Sequence, residues 1–266
     1  MFEIFELTFM QRALITGIIL AVVLAYLGVL VILRKMSFFA DGIAHSSLAG
    51  VAIGVLASFY PLVSAIVFSL FMGLLIYYLE EKSRLSSDTI IGIIFSSGLA
   101  LGAMLMSFKS GYQPELISFL FGNILAISWL DLIVISFMGL LIVSFVKLYY
   151  KKLVLISLNE ELANAQGVNS KGLKLFFYLS LSMAVVLAIK VLGLILASAL
   201  LIIPVATAKS FAKSLKHLNV LAIFISIITV FSGLLISYYF NLSTGPSIVL
   251  LGALIFFCSL IFKKDN

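Results

Sequence analysis

The chain has 266 residues, 63% of them hydrophobic and only 11% charged, against about a quarter charged in a soluble domain, which excludes water as its main solvent. Its formal charge is +6, but the Lys and Arg residues stand in short clusters between apolar runs rather than along one face, so nucleic acid is not the partner they serve. Apolar runs close to the roughly 20 residues a helix needs to cross a bilayer recur from end to end, without the alternation of barrel strands. Each run must satisfy its own backbone inside lipid, so the class is all-α: a polytopic membrane protein with a single transmembrane domain over 1–266.

In chain order the predicted spans are 13–33, 39–59, 61–79, 89–108, 131–149, 173–189, 191–208, 218–240 and 246–262, about nine in all. The first follows Glu3 and Glu6 and has neither the basic segment nor the small-residue cleavage site of a signal peptide, so it reads as a retained helix. The second and fourth carry paired glycines, Gly50 with Gly54 and Gly98 with Gly102, whose spacing marks close helix contacts. Residues 115–128 are apolar but too short to cross, which predicts an interfacial or re-entrant helix. The run 175–208 would extend about 51 Å as one helix, so it is expected to turn near Lys190. Pro204 is the one proline placed to kink a span. Cys258, the one cysteine, lies in the last span and is read as a packing residue.

Threading these spans alternately through a membrane leaves only Arg12, Lys109 and Lys190 of the 17 Lys and Arg residues outside when the N-terminus is outside. The positive-inside bias therefore predicts an external N-terminus, a cytoplasmic C-terminus and a cytoplasmic polar loop at 157–171.

Catalytic signatures are missing: the sequence has no HExxH, GxSxG, paired cysteines or GxxxxGK[ST] phosphate loop, so it is not expected to be an enzyme or to hydrolyse ATP itself. What it has is Asp41 and His45, four residues apart at the start of the second span and so on one helical face. Ionisable groups in a span usually face an aqueous path, a bound ion or a partner. An imidazole with a carboxylate suits Zn²⁺, Mn²⁺ or Fe²⁺, and a two-fold dimer would bring two such pairs together toward the four ligands of a tetrahedral site. The competing reading has Asp41 capping the helix and His45 hydrogen-bonded within the bundle. Asp88 reads as an N-terminal cap of the fourth span, and Asp131 and Glu115 as surface charge at the outer side.

Six ordered blocks then resemble the permeases of the zinc, manganese and iron ABC importers: RKMSFFADGIAHSSLAGVAIG (34–54), SSDTIIGIIFSSGLALG (86–102), ISFLFGNILAISWLDL (117–132), LNEELANAQGVNSKGL (158–173), VLGLILASALLIIPVATAKSFA (191–212) and SGLLISYYFNLSTGPSIVLLGA (232–253). The resemblance implies an ABC-importer permease fold, a second permease copy completing a homodimer, a cytoplasmic ATP-binding subunit and an external metal-binding protein. It implies a transported Zn, Mn or Fe ion and no permanently bound cofactor. It maps the metal-handling pair onto Asp41 and His45 and the ATPase-coupling segment onto Glu160, Glu161, Ala163 and Gly167. The family pattern has Leu-Pro or a similar pair where this chain has Leu48-Ala49.

Two rival readings are an ion-coupled secondary transporter or channel, and a permease for siderophores or cobalamin. The first would be expected to place further ionisable groups at mid-membrane. The second would need a wider path and no Asp/His pair.

Overall fold

The computed structural model describes residues 6–83, 85–108, 122, 124 and 127–261. Among them are ten helices and no strand: α1 (Thr8–Leu33), α2 (Phe39–Leu56), α3 (Pro61–Lys82), α4 (Ser87–Ser107), α5 (Trp129–Leu158), α6 (Glu160–Ala165), α7 (Ser170–Leu192), α8 (Leu194–Lys209), α9 (Leu215–Phe240) and α10 (Thr244–Ile261). Eight are long and apolar enough to cross a membrane. The remaining predicted span, 191–208, is α8, whose 16 residues rise about 24 Å, short of the roughly 30 Å hydrocarbon core. Most of its side chains are buried, so its neighbours are helices rather than lipid and its length need not match the bilayer.

The predicted turn between the seventh and eighth helices falls at Gly193 rather than Lys190. Gly193 has φ 81° and ψ 168°, a backbone region nearly closed to side-chain-bearing residues, whereas Lys190 is still helical and pairs with Asp131. Helix α5 also outruns its expected span by nine residues, to Leu158. Lys147, Lys151 and Lys152 end the apolar run but not the helix, because long lysine stems carry their charge to the membrane edge. Pro204 lies inside α8, and the helix continues to Lys209. Cys258 is exposed on α10, so the packing role expected of it is not met. The helix expected at 115–128 and the terminal Lys263 and Lys264 lie outside the described residues, apart from Gly122, Ile124, Ile127 and Ser128.

Burial divides the bundle into two groups. Helices α1, α2, α7 and α8 bury most of their side chains, while α3, α4, α5 and α10 bury few and form the periphery. The paired glycines explain how α2 comes to be enclosed. A Cβ at Gly50 or Gly54 would lie within 2.9 Å of α3 atoms from Ala65, Ser64 or Pro61, and one at Gly102 within 3.1 Å of Ala49 N. Gly98 closes likewise on Ser46. Both motifs are therefore contacts inside one bundle, α2 against α3 and α4 against α2.

Candidate metal site and coupling loop

Close packing on two sides leaves α2 a single open line. Of its residues only Asp41, His45, Leu48, Ile53 and Leu56 escape full burial, and a spacing of three to five residues keeps them on one face. The His45 ring places Nδ1 3.0 Å from the backbone oxygen of Asp41. A carbonyl oxygen only accepts, so Nδ1 carries the proton and donates, and Nε2 keeps its lone pair. This is the arrangement that fixes a metal-ligating histidine, one nitrogen committed to a carbonyl and the other free to coordinate. The ring also packs at a tilt against Phe95 of α4, centroids 4.4 Å apart.

Asp41 and His45 face a cavity of about 430 Å³ lined also by Phe38, Asp88, Ile91, Gly92 and Phe95. Helices α2 and α4 run in the same direction, Gly42 meeting Ile91, Ser46 meeting Gly98 and Ala49 meeting Gly102, so both N-termini reach the same end of the cavity. The cap expected of Asp88 belongs to Ser86, whose Oγ accepts from Thr89 N at 3.3 Å. Asp88 sits in the first turn instead and lines the same cavity as Asp41. The glycine face of α4 was the available signal: the register it sets carries Asp88 beside the start of α2. Among the described residues no three His, Cys, Asp or Glu side chains lie close enough to hold a metal ion, so Asp41 and His45 do not by themselves form a closed site within the described part of one chain.

The 157–171 loop folds into α6. Asn159 caps it, its Oδ1 accepting from Leu162 N at 2.9 Å, and Gly167 closes it at φ 75°. There Gly167 N donates to Asn164 O at 2.9 Å and Val168 N to Ala163 O at 3.0 Å, the left-handed ending that glycine makes cheap. Ala163 is fully buried and Glu161 exposed. Glu160 turns inward to Lys174 Nζ, 2.9 Å away. Lys174 is 3% exposed and also pairs with Glu81 of α3, while neighbouring Glu80 accepts from Tyr178 and pairs with Arg34 at 3.4 Å. Charge-counting along the sequence treated Lys174 only as a topology marker and missed Glu80 and Glu81. Their signal was position, since three ionisable groups at the ends of spans need partners.

These contacts sort the helix ends. Arg34, Glu80, Glu81, Glu160 and Lys174 gather at one end. At the other, Asp131 pairs with Lys190 and forms a reciprocal cap with Ser128, and Arg12 lies 5.9 Å from the Trp129 ring. Asp131 is thus a committed structural charge, more than the plain surface charge expected of it.

A model of the ABC 3 transport family matches residues 6–263. The chain belongs to that family. The zinc uptake membrane protein ZnuB of Haemophilus influenzae is 34% identical over 98% of this chain and 99% of its own length. The manganese import permease ScaB of Streptococcus gordonii is 39% identical over 94% and 90%. The solved structure of PsaBC from Streptococcus pneumoniae in complex with Fab matches with a TM-score of 0.83 at 36% identity, over 96% of this chain and 92% of that one. The expected class, an all-α membrane permease of the metal ABC-importer type, is thereby established for this ABC 3 member.

Proposed function

We propose that this chain is the membrane permease of an ATP-driven zinc or manganese importer. Zinc and manganese are named for the relatives above; iron, which the sequence resemblance admitted, is named for neither. In this reading two copies of the single domain 1–266 face each other along the open line of α2. Asp41 and His45 from each then supply oxygen and Nε2 ligands to the passing ion. The observation that carries the reading is the pair itself: a carboxylate and a tautomer-fixed imidazole on the one uncovered face of an otherwise buried helix. Two ligands per chain bind a cation weakly enough to release it, as transit requires and a closed four-ligand site does not.

The remaining parts follow the same reading. An external binding protein delivers the ion, and a separate cytoplasmic ATP-binding subunit hydrolyses ATP. That subunit docks on the loop carrying Glu160, Glu161, Ala163 and Gly167, with the N-terminus outside and the C-terminus in the cytoplasm. No resident cofactor is required. The test is metal uptake by membrane-inserted, ATPase-bound Asp41→Asn and His45→Ala variants, both expected to lose it. A capping role for Asp41 predicts a nearly silent Asn substitution, since Asn caps as well as Asp. Uptake at the unsubstituted rate in both variants would remove the site from the reading.

A further inference from the structure

A second cavity, of about 390 Å³, lies away from the metal cavity, between α5 and α7 and lined by Phe145, Tyr149, Lys152, Asn169, Gly172, Leu173 and Phe176. Its volume is in the usual range for small-molecule sites, roughly 300–1,000 Å³. Its walls change character along the helix axis. Phe145 packs on Tyr149 and Phe176 at centroid distances of 5.4 and 6.1 Å, a continuous aromatic floor with Phe176 exposed beside it. One turn on, the Lys152 ammonium stands 5.9 Å from the Tyr149 ring, and Asn169, its Oδ1 taken by Gly172 N at 3.0 Å, still has amide N–H donors to offer.

Depth fixes what such a groove meets. Trp129 marks one end of α5, and aromatic residues of that kind settle at the membrane interface. At 1.5 Å per residue, Phe145 lies about 24 Å along the helix from it and Lys152 about 35 Å, against a hydrocarbon core of about 30 Å. The aromatic floor is at acyl-chain depth and the lysine at headgroup depth. Charge agrees with depth. Lys152 lines this end of the groove, and among the described residues no carboxylate pairs with it, whereas nearby Lys174 has two.

We infer that this groove binds one anionic phospholipid, its phosphate held by Lys152 beside Asn169 and its acyl chain laid on Phe145, Tyr149 and Phe176. A neutral zwitterionic lipid would fill the apolar floor equally well but would bring a compensating cation to Lys152. A free phosphate would find the lysine but leave the floor bare. The inference stands whichever end is cytoplasmic, so it succeeds or fails independently of the transport reading.

The experiment is native mass spectrometry of the purified full-length chain titrated with dioleoyl phosphatidylglycerol or dioleoyl phosphatidylcholine. The chain is expected to retain phosphatidylglycerol preferentially. Lys152→Gln should lower that preference on the order of five-fold, the effect of one basic residue near an anionic headgroup. Lys213→Gln, at an exposed lysine of the α8–α9 connection, should leave it unchanged. Equal retention of the two lipids, an unaltered preference in Lys152→Gln, or an equal loss in Lys213→Gln would each overturn the site. Displacement of phosphatidylglycerol by millimolar inorganic phosphate would overturn the lipid in favour of a phosphate site.

Discussion

Replacing Lys174 by methionine separates a structural ion pair from a surface one. Its side chain is 4% exposed, between Glu81 at 21% and Glu160 at 35%. Methionine fills much of the same volume but leaves both carboxylates facing a site with no cation. Breaking a buried pair from one side costs roughly 3–5 kcal/mol; the partial exposure of both glutamates returns some hydration, which places Lys174→Met near the low end, about 3 kcal/mol. That is roughly a 150-fold shift in the folding equilibrium. Glu160→Gln leaves Lys174 its Glu81 partner and removes only the more solvated contact, so its cost is about 1 kcal/mol or less. Equilibrium unfolding of the purified chain in mixed detergent measures both, and a double-mutant cycle gives their coupling. A Lys174→Met loss below about 0.5 kcal/mol, or a Glu160→Gln loss as large as that of Lys174→Met, would refute this apportioning of the network.

Gly193→Ala should cost about 1–3 kcal/mol, because φ 81° with ψ 168° belongs to glycine; an unchanged unfolding midpoint would mean the α7–α8 turn had relaxed. Gly167→Trp should fold with only about 1–2 kcal/mol of backbone cost, since nothing lies within 4 Å of a Cβ there, yet it should weaken co-purification with the ATPase. Intact association would remove the loop as the docking contact. Asp88→Asn should cost under about 1 kcal/mol, the helix-terminus charge alone, and slow metal uptake; unchanged uptake would leave Asp88 a helix-end charge and nothing more.

The fold was legible because lipid imposes a length and a composition on each span, and the ends of α2, α3, α4, α7, α8, α9 and α10 fall within three residues of those expected, while α1 begins five residues early. What composition could not place was the edge of a helix that keeps going after its apolar run stops, as α5 does past Lys147. It also expected the turn near the ionisable Lys190, three residues before the quiet Gly193 that makes it. The candidate pair Asp41 and His45 was legible from a four-residue spacing. Asp88 was not, since its place beside them depends on α2 and α4 running parallel in one register, which glycine contacts decide. The same holds for Lys174 and Glu81, 93 positions apart. A pairing of that separation leaves no local trace beyond two charges that need an explanation.

The cavity between α2 and α4 shows why so few polar groups suffice there. Phe38, Ile91 and Phe95 make most of its wall, and an apolar wall lowers the local dielectric and strengthens every charge interaction inside it. Asp41 and Asp88 both line this cavity, so in the proposed reading a divalent ion there would be attracted to both. Phe95 packs at a tilt against the His45 ring and Asp41 O fixes its tautomer, so an ion binding there would meet an imidazole already oriented, with little freedom to lose. An arrangement with a third ligand in the same chain would hold the ion before the second copy contributed anything. With only the two proposed here, an ion would be held well only where both copies present their open lines together, and a small change in how those lines face each other would be enough to let it go.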